Sequence, residues 1–502
     1  MLASLREGGA SGGIEAAQQA FLSMIWPTCT TGKQTTHHAW YSNKVWNPKR
    51  MCLEHVADSG IRLEPFWELV HGAGIRSAIL DVPFAPAPSP GFPGVFLAGW
   101  QNHDDHGECC CPRGFRRDLE RRFGKTEMKP ELFGDQSAST LLRLREETLA
   151  SIAQFAGICE HVLETVRPDL FFAVFGGAHR GGHYLWDDSQ ADMRGASPAE
   201  RQTIASARAE LYEACDRALG RVLTRAPAGA RVLVFALHGM GTNTGWPEQL
   251  ARIAGAVEAK GGSRPGGGLV YRLKRAIPWK VARQLTTRIP HWANRAIVPL
   301  WSRRMRDWNT VRWFPLPGDL HGFLKVNLKG RETPGVVSPG AEYEALCAEL
   351  EESFLSFRVL ETGAPLFKKV ERVDALGPPG SPVRDRLPDL ILHWSDEAMG
   401  LSTGARSGIH GEVLWSPDAK LPSGRSGNHL GRGWFVARGE GIPAGPLAGK
   451  HDLVDIAPTV LRWLGVDVPR SLHGRPIDAL FGAGEPPQPP GSAAGLSASN
   501  LA

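Results

Sequence analysis

Residues 232–236 read Val-Leu-Val-Phe-Ala, an apolar run with no position suited to face water. Such a run needs cover on both faces, which a parallel strand in a helix-flanked sheet has. It ends in Leu237-His238-Gly239-Met240-Gly241, where two glycines predict a sharp turn. His238 is then left at the carboxyl edge of the sheet, the side on which open α/β sheets bind ligands. The signature recurs in RSAILDVP at 76–83, in the stretch that starts DLFFAVF at Asp169, and at 388–394. Between these runs, residues 139–166 carry Leu141, Leu142, Leu144, Ile152 and Phe155 at helical spacing. Residues 197–226, 341–358 and 451–464 also read as helices. Alternating strands and helices predict an α/β fold, a doubly wound and mostly parallel sheet flanked by helices.

Histidines supply the candidate chemistry. His179 and His183 form a His-x3-His pair directly after the third strand. Four residues apart, two imidazoles face one side of a helical turn, a common start for a divalent metal site. His429 stands in the glycine-rich SGNH loop before a strand at 434–437. A second grouping, Cys109-Cys110-Cys111 after His103, Asp104, His106 and Glu108, reads either as a metal loop or as a surface loop. The eight cysteines show no paired metal spacing, which fits a reducing compartment. No run approaches the roughly 18 apolar residues of a membrane span. The start lacks the basic-then-apolar layout of a signal peptide, so the expected location is cytoplasmic.

Residues 264–314 contain 12 Lys/Arg and one acid, Asp307, interleaved with Trp279, Trp292, Trp301, Trp308 and Trp313. This predicts an inserted basic cap over 261–345, dividing the α/β core into 1–260 and 346–480. The cap's partner is an anionic membrane surface met peripherally, the phosphate of a substrate, or water alone. A net charge of +5 over 502 residues gives no reason to expect a nucleic acid polymer. The Pro, Gly, Ser and Ala tail from 482 is expected to be disordered.

The order of WPTCTTG (26–32), His38, DLFFAVFGGAHRGGH (169–183), VFALHGMG (234–241), SGNH (426–429) and DIAPTVLRWLGV (455–466) resembles the type I phosphodiesterase/nucleotide pyrophosphatase branch of the alkaline phosphatase superfamily. The resemblance covers roughly residues 3–480. It implies an alkaline phosphatase-like core with two divalent metals, usually zinc, at the carboxyl end of the sheet. Carried over, one site becomes His179, His183 and His429, with His179 standing where the family has Asp. In the other site His238 is present, but Leu237 replaces the preceding acid and offers no lone pair. The first-strand Asp of the family has no counterpart, since the sequence begins after that strand should have ended. A sheet without it would expose unpaired edges, so a truncated or late-started sequence is the expectation. Leu22 falls where the family has its nucleophilic Thr, leaving Ser23 and Thr28 as candidate attacking hydroxyls.

The function these readings imply is metal-dependent hydrolysis of a small phosphate ester, a phosphodiester or nucleotide pyrophosphate, with zinc or alternatively manganese. Two other readings stay open. One is a sulfatase or phosphonate hydrolase of the same superfamily, although no Cys/Ser-x-Pro-x-Arg pattern occurs near residues 20–32. The other is a catalytically impaired relative that binds an anionic ligand or membrane.

Overall fold

The computed structural model describes residues 1–16, 18–102, 108–126, 132, 136–260, 291–376, 383–395, 402–415 and 423–481. The candidate loop residues His103, Asp104 and His106, residues 261–290 of the basic segment and the tail from 482 lie outside them.

In chain order the sheet-forming strands are β1 (Ala10–Glu15), β2 (Ser77–Leu80), β3 (Gly94–Ala98), β4 (Cys109–Cys111), β5 (Leu170–Ala173), β6 (Val232–Ala236), β7 (Gly239–Thr242), β8 (Gly427–Leu430) and β9 (Arg432–Arg438). The helices that enclose them are α1 (Ile25–Thr31), α2 (Ala138–Val166), α3 (Gly177–Tyr184), α4 (Pro198–Leu223) and α5 (Ile456–Trp463). Parallel β3, β2 and β5, edged by antiparallel β4, form one half-sheet in the order β4-β3-β2-β5. The other half-sheet runs β6-β9-β1, with β9 antiparallel to both neighbours. Short strands Gly445–Pro446 and His451–Asp452 extend it beyond β1. The α/β class expected from the sequence is present. The single continuous sheet is not: among the described residues no strand joins β5 to β6.

Local chemistry explains the long helices. Ser197 accepts the backbone N–H of Glu200, whose carboxylate accepts that of Ser197, and this capping box with Pro198 starts α4. Ser137 caps α2 through the Thr140 N–H. The predicted 451–464 helix starts only at Ile456, because Asp452 and Asp455 form a capping box around a 3-10 turn first.

Two strands arise where glycine hides them from pattern reading. β1 contains Gly12, where a Cβ would lie 2.6 Å from the ring of its cross-strand neighbour Phe435. The glycines after His238 do not make the expected turn; the bend falls at Leu237 and His238, and residues 239–242 continue as β7. β7 pairs antiparallel with β8, which the sequence presents as a loop.

Between Thr242 and Gly427 the chain makes an excursion around a separate antiparallel sheet. Its strands Trp313–Leu316, Gly322–Val326, Leu390–Trp394 and Phe367–Arg372 are adjacent in that order. This sheet runs across residue 345, the expected end of the cap. The described part of the basic segment is partly neutralised within the chain: Arg306 pairs with Glu258 at 2.6 Å, and Arg295 pairs with Asp58. No described helix is long and apolar enough to cross a membrane.

Candidate active site

β5 and β6 both lead toward one place. β5 passes into α3, which presents His179 and His183 one turn apart with ring centroids 4.6 Å from each other. β6 passes through the bend at Leu237 to His238. The β7–β8 ladder sets His429 opposite Met240. There the His429 ring lies 4.1 Å from His238, 4.9 Å from His183 and 5.1 Å from His179, centroid to centroid.

Close packing brings these elements together. A Cβ at Gly181 would lie 2.4 Å from Leu211 of α4, and one at Gly427 would lie 2.0 Å from the Gly182 carbonyl. The glycines in HRGGH and SGNH thus let α3 approach α4 and β8 without side chains between them. Ser426 Oγ accepts the backbone N–H groups of Trp186 and Asp187, each at 3.2 Å, fastening the start of β8 to the end of α3. Sequence reading missed a second anchor. Asp81 accepts the N–H groups of Trp100, Gln101 and Asn102 at 2.6–3.0 Å. Gln101 Oε1 in turn accepts the Gly176 N–H at 3.1 Å, just ahead of α3.

Backbone carbonyls orient two of the rings. Carbonyl oxygens only accept, so His183 Nδ1, 3.0 Å from the Gly427 carbonyl, and His238 Nδ1, 2.8 Å from that of Gly239, carry the protons. Nε2 of each ring is then turned away from that carbonyl, the usual arrangement behind a metal-binding histidine. Neither ring nitrogen of His429 has a hydrogen-bond partner among the described residues, although both are shielded from solvent. Burial, then the charges of His238, His183, His179 and Arg425, holds the His429 pKa well below its ordinary value. Burial also lowers that of His238, against the opposing hydrogen bond to Gly239. One ligand atom each from His179, His238 and His429 lies within 4.8 Å of the others. His183 packs beside this trio, and His238, rather than His183, joins His179 and His429 in the converging group. Three imidazoles whose ligand atoms converge, with the pKa values of His238 and His429 lowered by burial, fit a divalent ion of borderline softness.

All four rings line a cavity of about 2080 Å³ that also receives Ser23, Arg180, Asn243 and Arg425. Leu237, in the place of an expected acid, is buried in the apolar cluster of Ile14, Leu22, Ile25 and Phe435.

Ser23 and Thr28 part company. Ser23 is on the cavity wall, whereas Thr28 is buried within α1 and does not line the cavity. The Thr28 hydroxyl is 3.1 Å from His38 Nε2 and 3.2 Å from the Thr35 hydroxyl. Trp40 N–H donates to His38 Nδ1 at 3.1 Å. The remaining proton is therefore on Nε2, and His38 donates to Thr28 rather than drawing a proton from it. This network explains the Thr-rich motif as a locked turn.

Burial, followed by the charges of His37, His473 and Lys33, pushes the His38 pKa down to about 3. The unfolded chain then binds a proton that the folded chain refuses between about pH 3 and 6.5. The resulting stability is complete above pH 6.5 and lost progressively as the pH falls toward 3. Acid titration of unfolding should show His38→Gln less sensitive than the parent over this window; an equal slope would contradict the assignment.

Fold and site define a helix-flanked α/β protein whose ligand-binding edge carries a histidine cluster in a large cavity. The sequence model of the type I phosphodiesterase/nucleotide pyrophosphatase family matches residues 2–410. The chain belongs to that family and is a hydrolase of this kind. The matched span ends before His429. Among solved structures, human ectonucleotide pyrophosphatase/phosphodiesterase 5 is similar over 95% of this chain and 93% of its own, at 11% identity and a TM-score of 0.45. No curated protein sequence matches.

Proposed function

We propose that the chain hydrolyses phosphodiester or pyrophosphate bonds of a small phosphate ester with one divalent ion, zinc or manganese, held by His179, His238 and His429. The observation that carries this reading is the convergence of one ligand atom each from His179, His238 and His429 in the cavity wall, with neither His429 ring nitrogen hydrogen-bonded among the described residues. A bound ion would supply Lewis-acid stabilisation of charge on a non-bridging phosphate oxygen. The Gly239 and Gly427 carbonyls accept from Nδ1 of His238 and His183 and so orient those rings before an ion arrives. Arg180 and Arg425 add positive charge to the cavity wall, which favours an anionic ester. Ser23 is the attacking hydroxyl in this proposal, supported by its place on the wall of the same cavity. Leu237, apolar and buried, supports one metal rather than two.

Turnover of bis-p-nitrophenyl phosphate, measured before and after chelation and again after metal is restored, tests the reading. Chelation should suppress turnover at least about 100-fold, beyond the effect of losing one residue that only supports a ligand, and metal should restore it. Turnover indifferent to chelation would overturn the metal's role. Metal binding without turnover of any phosphate ester would favour the impaired, ligand-binding reading.

A further inference from the structure

The helix His291–Arg303 rests on a hairpin formed by the strands Lys44–Asn47 and Cys52–His55. Its inner side is anchored there. Buried Ser302 accepts the Leu53 N–H at 2.9 Å, and Arg295 pairs with Asp58. Arg295, Val298 and Ser302 recur at helical spacing, so they share that side. The opposite side carries Ala296, Ile297, Leu300 and Arg303, all exposed. At 3.6 residues per turn these four form a stripe roughly 120° wide, and exposed Arg304 follows directly. Ile297 is 45% exposed and Leu300 62%, the highest figure for a large apolar side chain among the described residues. A lone surface leucine is ordinary, but an apolar pair on the outer stripe of one helix leaves contiguous area that water disfavours.

The charge around this pair has one sign. The helix contains no acid, and the nearest acids along the chain are Glu258 and Asp307. Glu258 is already paired with Arg306. Arg303 and Arg304 have no ion-pair partner among the described residues. Arg50, in the turn of the supporting hairpin, shares the single carboxylate of Glu54 with Arg386, which leaves that neighbourhood cationic as well. None of Ile297, Leu300, Arg303 and Arg304 lines the cavity, so their charge does not serve the phosphate of a substrate there.

Apolar side chains flanked by guanidinium groups suit a boundary where anionic headgroups overlie hydrocarbon. We propose that the outer stripe of this helix docks the protein on an anionic lipid bilayer. Ile297 and Leu300 enter below the headgroups, and Arg303 and Arg304 pair with the headgroup phosphates. The helix then lies flat on the surface and spans nothing. Docking also brings the cavity to the membrane, because Ser42, Asn43 and Lys44, where the supporting hairpin begins, form part of the cavity wall. It is independent of the metal and of the substrate's identity.

Sedimentation of the full chain with vesicles of equal parts phosphatidylcholine and phosphatidylserine, beside vesicles of phosphatidylcholine alone, tests this. The anionic vesicles should bind at least about tenfold more tightly, since each Lys or Arg near such a surface contributes about fivefold. Arg303→Gln with Arg304→Gln, and separately Ile297→Ser with Leu300→Ser, should each weaken that binding at least about tenfold. All four positions are exposed, so the unfolding midpoint and bis-p-nitrophenyl phosphate turnover should stay at the parent level. Leu414→Ser, at a leucine 61% exposed on the strand Gly411–Leu414, should bind as the parent does. No binding of the parent to anionic vesicles, equal binding to both vesicle types, or binding that survives either double substitution would overturn the proposal. So would an equal loss with Leu414→Ser. A parent that ignores vesicles but self-associates until Ile297→Ser and Leu300→Ser are introduced would overturn it too, giving the face to a second copy of the chain.

Discussion

Replacing His429 with alanine should abolish metal retention and lower phosphodiester hydrolysis at least about 100-fold, more than the loss of a supporting residue behind a ligand. His429 is the ring on which the cluster converges, within 4.1–5.1 Å of the other three by centroid. Its nitrogens have no other hydrogen-bond partner among the described residues, so removing it breaks no such bond. The β7–β8 ladder that holds it is backbone, and alanine leaves that intact. The loss should therefore appear in metal affinity by equilibrium dialysis and in kcat, with the unfolding midpoint little changed. A variant that still holds the metal as tightly as the parent would remove His429 from the ligand set.

A second large effect is expected far from the site, in stability alone. Arg331 forms a bidentate pair with Asp389 at 2.6 and 2.7 Å, and Asp389 also accepts the Val326 N–H at 2.6 Å. Lys325, fully buried, lies 3.9 Å from Asp389 and 3.8 Å from Glu332. Burial pushes the Lys325 pKa down to about 8, assisted by Arg331 and opposed by Asp389 and Glu332. Burial raises the Asp389 pKa, but Arg331 and Lys325 outweigh it and hold the carboxyl below its ordinary value. Asp389→Ala would leave two buried cations facing one carboxylate. Breaking such a pair from one side costs about 3–5 kcal/mol, chiefly for the uncompensated charge left behind. Denaturant unfolding of parent and variant measures this, and a difference below about 1 kcal/mol, the range of an exposed pair, would contradict it.

What the sequence revealed follows from the range of the forces involved. β2, β5 and β6 were legible because strands of a helix-flanked sheet read as nearly continuous apolar runs. The spacing of His179 and His183 announced itself for the same local reason, as one helical turn. β8 was not legible, since Gly427-Asn428-His429 carries no strand pattern. It becomes a strand through its pairing with β7 and through a glycine that admits the Gly182 carbonyl. The tie from Asp81 through Gln101 to Gly176 joins residues 20 and 75 positions apart, a distance at which spacing conveys nothing. Thr28 looked like a candidate because its motif is rich in hydroxyls. Only the tautomer of His38, set by the Trp40 amide, shows that its hydroxyl is held in a turn. The antiparallel sheet beyond Thr242 runs across residue 345 because the basic composition ends before its strands do.

His179, His238 and His429 together hold the metal in the proposed reaction. The most direct measurement is a zinc titration of the metal-stripped full chain by calorimetry, run beside His179→Ala, His238→Ala and His429→Ala. About one tight equivalent per chain is expected in the parent, with affinity weakened at least about 100-fold in each variant, more than the roughly 10–100-fold expected of a supporting residue. No zinc binding in the parent, or binding unchanged in all three variants, would contradict it.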